Sequence, residues 1–122
     1  MPHSPRVMVV DDEAVHRETL AALLMGGGIR VAPFERAQDA LHELGRDPAF
    51  DLILTDVLMP GMDGIEFARQ ARRLHPSIPI VLVTGRDSAM DAALDDGTVA
   101  LLKPYSAETL NSVLREHLGF TV

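Results

Sequence analysis

Five short apolar runs punctuate this chain: Val7 to Val10, Ile29 to Ala32, Leu52 to Thr55, Ile80 to Thr84 and Val99 to Leu102. Each is strand-sized, and most are apolar throughout rather than alternating, as parallel strands covered on both faces must be. Helical periods lie between them. Ala37, Ala40, Leu41 and Leu44 fall at i, i+3, i+4 and i+7, and Leu110, Val113, Leu114 and Leu118 give the last helix a similar stripe. Gly26-Gly27-Gly28 stops the first helix, Pro76 and Pro79 bracket the turn before the fourth run, and Ser88 with Asp91 reads as a capping box for a helix between the fourth and fifth runs. Five βα units with short connections predict an α/β fold, a doubly wound parallel sheet with right-handed crossovers.

The length of 122 residues suits one domain, here expected over residues 6–120, with 1–5 as a flexible N-terminus. No apolar run approaches the ~20 residues that span a bilayer, and no signal-peptide h-region follows Met1, so a cytoplasmic protein without membrane contact is expected. The absence of cysteine excludes disulfides, thiolate metal sites and thiol catalysis. A net charge of −7 with dispersed acids leaves no basic footprint for direct nucleic-acid binding. His3, His16, His42, His75 and His117 show no metal-ligand spacing and read as surface residues.

The ends of the runs carry the chemistry. The first ends on Asp11-Asp12 and the third on Asp56, which a Pro60-Gly61 turn and Gly64 follow. The fourth ends on Thr84, and the fifth runs into Lys103-Pro104, which holds the only lysine. Taken singly, Asp12 is an ordinary helix N-cap, Thr84 a structural strand end and Lys103 a solvated charge. Asp63 before Gly64 is likewise read as a turn or cap residue. Jointly they are several coincidences at one edge of one sheet. Carboxylates ~4 Å apart repel by about 4 kcal/mol at an effective dielectric of 20, so their pKa values rise or a cation sits among them. Hard oxygen donors without His or Cys select Mg²⁺, Mn²⁺ or Ca²⁺.

The segments Val10-Asp11-Asp12-Glu13, Leu54 to Gly64, Val83-Thr84-Gly85 and Leu102-Lys103-Pro104-Tyr105 together resemble the receiver domain of bacterial two-component response regulators, including the chemotaxis-type single-domain regulators. The resemblance frames the chain from Arg6 to Leu118. It implies a flavodoxin-like (βα)5 sheet of strand order 2-1-3-4-5, whose switch point between the first and third strands gathers the acids. It further implies Mg²⁺ held by Asp12, Asp56 and the Leu58 carbonyl, with Asp11 acting through water. Asp56 would be the phosphoacceptor, with Thr84 and Lys103 on phosphoryl oxygens and Lys103-Pro104 in cis. The implied partners are a histidine kinase or histidine phosphotransfer protein, and an effector domain or a receiver dimer. Self-phosphorylation and slow self-dephosphorylation, without independent turnover, are the implied activity.

The sequence departs from the family pattern in two respects. Three residues before the lysine, where Tyr or Phe is usual, it has Ala100, and the Thr84 to Lys103 interval is short. The usual aromatic switch is therefore not expected, and Tyr105 is expected to serve packing or partner contact. A degenerate receiver acting as a docking module, or a flavodoxin-like cofactor-binding domain, is the alternative. Against a flavin site, Asp11-Asp12-Glu13 would repel a phosphate unless a metal intervened. Against a GTPase, the Gly-x-x-x-x-Gly-Lys-Ser/Thr loop is absent; against a haloacid-dehalogenase-type phosphatase, Asp11-Asp12 lacks the two-residue spacing.

Overall fold

The computed structural model describes residues 4–85 and 98–118. Five strands, β1 (Arg6–Val10), β2 (Arg30–Phe34), β3 (Leu52–Asp56), β4 (Ile80–Thr84) and β5 (Val99–Leu102), alternate with helices α1 (Ala14–Gly26), α2 (Ala37–Arg46) and α3 (Gly64–Leu74), and α4 (Ala107–Leu118) follows β5. All pairings are parallel, in the order β2-β1-β3-β4-β5. The expected sheet is therefore found. The predicted cap at Ser88 and Asp91 lies outside the described residues.

Period-two alternation splits the core into two layers. Met8, Val10, Ile53, Ile80 and Leu82 face Ala37, Ala40, Leu44, Phe67 and Ala71 of α2 and α3. Val7, Val9, Leu54, Val81 and Val83 face Leu20 and Leu24 of α1 and Leu110 and Leu114 of α4. Both faces being covered is what the unbroken apolar runs require.

Three local features differ from or refine the sequence reading. β2 begins one residue late and runs through Pro33, opposite Val9 of β1; an edge strand tolerates a residue that donates no hydrogen bond on one side. Pro5, expected in a loose terminus, is buried, and its carbonyl accepts from Arg30 N–H at 2.9 Å. α1 closes on Gly27, whose N–H returns to the Leu24 carbonyl, and Gly28 alone of the three glycines takes a left-handed φ of 86°.

Candidate functional site

Asp11, Asp12 and Asp56 converge beyond the carboxyl ends of β1 and β3, each offering an oxygen within 4.8 Å of the others. The register explains the meeting: Val10 lies beside Thr55, so Asp11, which follows β1, and Asp56, which ends β3, emerge side by side. Asp11 is 2% exposed, while Asp12 is exposed and Asp56 lies between them. Period two accounts for the first pair. Asp11 continues the Val7 and Val9 face towards α1, and Asp12 turns outward.

Asp56 is held by its own backbone surroundings. Val57 N–H donates to Asp56 Oδ1 at 2.8 Å, and the N–H of Leu58 also favours the ionised carboxylate. Lys103 Nζ stands 3.6 Å from the same Oδ1. Burial nevertheless holds the Asp56 carboxyl above the usual carboxylate range, and the nearby charge of Asp11 adds to the rise; Lys103 and the two N–H groups oppose it. An acid that remains raised beside a lysine sits where added positive charge is favoured.

The loop after Asp56 is fitted to it. Gly64 N–H donates to the Val57 carbonyl at 2.8 Å, and a Cβ on Gly64 would stand 2.1 Å from the Asp56 carbonyl oxygen. Asp63 caps α3 by accepting from Glu66 N–H at 2.9 Å, as read from the sequence. Leu58, the expected carbonyl donor, is exposed in this loop. Thr84 is buried at the end of β4, and its carbonyl accepts from Lys103 N–H at 2.7 Å, which anchors the lysine to the same edge. The Lys103-Pro104 bond is cis.

His16 is where the sequence reading fails. Expected at the surface, it is partly buried, and its Nδ1 meets Asp11 Oδ2 while its Nε2 meets the Tyr105 hydroxyl at 3.0 Å. The His16 and Tyr105 rings stand edge to face, 6.0 Å apart. Arg17, its neighbour, donates to the Asp11 carbonyl at 2.7 Å. Burial, followed by the charge of Asp11, pushes the Tyr105 phenol up. A signal was available, since His16, Leu20 and Leu24 recur every fourth residue and so share the inward face of α1. Ala100 packs on the α2–α3 layer and Tyr105 on the α1–α4 layer, so the two lie on opposite faces of the sheet.

The three carboxylates supply only hard oxygen donors, with no sulfur among them, so the set fits Mg²⁺ by its chemistry. Among the described residues no helix is long and apolar enough to cross a membrane.

The family model of the response regulator receiver domain matches residues 7–115. Transcriptional regulatory protein ZraR of Klebsiella oxytoca is 37% identical over 118 residues, which are 94% of this chain and 26% of that protein. Response regulator MprA of Mycolicibacterium vanbaalenii is 36% identical over 119 residues, 95% of this chain and 51% of that protein. The chain thus spans between a quarter and a half of the length of these relatives. Among solved structures, chemotaxis protein CheY4 of Vibrio cholerae superposes with a TM-score of 0.86 at 28% identity, covering 95% of this chain and all of that one.

Proposed function

The chain belongs to the response regulator receiver domain family, and from that premise we propose that Asp56 is its phosphoacceptor. The observation that carries the reading is the environment of that one carboxylate. It is raised in pKa, flanked by Lys103 at 3.6 Å and crowded by Asp11 and Asp12 within 4.8 Å. Asp12, Asp56 and the Leu58 carbonyl would hold Mg²⁺, with Asp11 acting through water. The cation would supply charge neutralisation for the acids and for one phosphoryl oxygen.

The chain's own groups do the rest. An Asp56 Oδ attacks phosphorus of a phosphohistidine on a histidine kinase or histidine phosphotransfer protein; the P–N bond breaks and its electrons return to the imidazole. Lys103 Nζ neutralises a second phosphoryl oxygen, and the Thr84 hydroxyl donates to a third. Positioning and charge are what this transfer needs from a protein. The acyl phosphate then biases the domain towards a different partner surface, in an effector domain or a second receiver, and no independent turnover is expected. A degenerate docking module or a flavodoxin-like domain has no use for this full acidic set.

Incubation with acetyl phosphate and Mg²⁺ should add one phosphoryl mass, labile to hydroxylamine, and Asp56→Asn should abolish it. Added mass on serine, threonine or histidine would overturn the assignment.

A further inference from the structure

We propose that His16 is a positioning residue for the acidic pocket, holding Asp11 from behind and linking that carboxylate to the hydroxyl of Tyr105, so that cation occupancy is read in the segment after Pro104. The inference rests on the cation reading given above and deepens it.

A carboxylate that is 2% exposed needs its lone pairs answered by protein donors. Asp11 Oδ1 accepts from Glu13 N–H at 2.9 Å and Oδ2 faces His16 Nδ1. An ionised carboxylate has about four acceptor positions. Two therefore remain for water on a cation, which suits a group that acts one layer out. His16 bridges two groups, its Nδ1 on Asp11 Oδ2 and its Nε2 on the Tyr105 hydroxyl at 3.0 Å. Tyr105, His16 and Asp11 thus form one continuous hydrogen-bonded chain. Any movement of the carboxylate towards a cation alters the bond at Nδ1 and, across the ring, the bond at Nε2. Tyr105 packs against the α1–α4 layer directly ahead of α4, so the link ends at an element that can pass it on. It does not run through Ala100, which packs on the opposite layer.

The chain contains one tyrosine and no tryptophan, so its tyrosine emission comes from Tyr105 alone. Mg²⁺ titrations of the intact chain, followed by calorimetry and by this emission, test the link. In the wild type, emission should change saturably with the calorimetric midpoint. His16→Ala should weaken Mg²⁺ binding a few-fold, since His16 acts through Asp11, which itself acts through water, and silence the emission response. His16→Asn places an amide donor near the position of Nδ1 but cannot reach Tyr105; most of the affinity should return while the emission stays silent. Far-UV circular dichroism checks each fold, and His16→Asn decides alone if His16→Ala unfolds. Calorimetric binding without any emission change in the wild type would overturn the link and leave the cation reading intact. So would a wild-type emission response in His16→Asn, or undiminished affinity in His16→Ala. No binding heat at any Mg²⁺ concentration, with no Mg²⁺-dependent shift in melting, would remove the cation reading and this inference together.

Discussion

β1 and β3 carry acids and cations at both of their ends, and the two ends treat them in opposite ways. At the amino end, Arg6 N–H donates to Asp51 Oδ2 at 2.8 Å and its guanidinium bonds Asp47 at 2.7 Å, while lying 4.1 Å above the Phe50 ring. There the Arg6 guanidinium meets an opposite charge and an aromatic face, and Asp51 meets a backbone N–H. At the carboxyl end, three carboxylates crowd within 4.8 Å of one another, with Lys103 3.6 Å from Asp56 and His16 behind Asp11. The same residue types therefore produce a hydrogen-bonded ion pair at one end and an excess of negative charge at the other. Three carboxylates with one lysine among them, at the carboxyl edge of the sheet, leave net negative charge where a cation fits.

The largest expected difference between the two ends is steric. In Gly64→Ala the new methyl would meet backbone, standing 2.1 Å from the Asp56 oxygen and 2.9 Å from Val57 Cα, and neither can rotate away. We expect a loss of about 4 kcal/mol or more, at the far end of single-site effects. Gly45, in the last turn of α2 towards the other end, has only the Leu74 methyls at 3.9 Å. Gly45→Ala should instead stabilise by about 0.5–1 kcal/mol, because alanine loses less entropy in a helix. Urea denaturation measures both, and a mild Gly64→Ala would refute the close fit of the loop on Asp56.

The next effect is electrostatic. Mg²⁺ at 100 times its dissociation constant should add about 2.7 kcal/mol of stability. Asp12→Ala should remove most of that increment, yet raise the metal-free melting temperature by taking away a like charge. Removing Arg6, at the other end, should leave the Mg²⁺ increment unchanged. Melting curves with and without Mg²⁺ decide, and an Asp12→Ala protein that keeps the whole shift would refute the assigned ligand.

How much of this was legible in the sequence depends on which link carried the information. The sheet was legible because a strand covered on both faces has only one kind of composition, and the strand ends located Asp11, Asp12, Asp56, Thr84 and Lys103 directly. Pro33 blurred β2, since proline argues against a strand unless the strand is at an edge, and edges are a property of topology. The role of His16 does not show in metal-ligand spacing, because its signal is the helix face it shares with Leu20 and Leu24. The need for glycine at position 64 was invisible in one dimension, because the atom it must avoid, the Asp56 carbonyl oxygen, arrives from the preceding strand.

The smallest effects separate the two ends by sign alone. The Asp56 carboxyl is raised by burial first, so its ionised form opposes folding when no metal is present. A raised acid contributes stability that is complete below its unfolded pKa and lost as pH rises through the folded value. Asp56→Asn should therefore raise the metal-free melting temperature at pH 7, and the gain should fade as pH falls through the raised pKa. The Asp47 carboxyl is lowered, first by its hydrogen bond from Arg6 and then by Ala49 N–H. Its contribution is present above the unfolded pKa and lost as pH falls through the lowered one. Asp47→Asn should therefore lower the melting temperature slightly at pH 7, as an exposed pair does, and the deficit should close only at more acidic pH than the Asp56→Asn gain. Melting curves in EDTA from pH 7 to pH 3 give both profiles. If the two substitutions shift the melting temperature in the same direction at pH 7, the contrast between an ion-paired end and an acid-rich one is wrong.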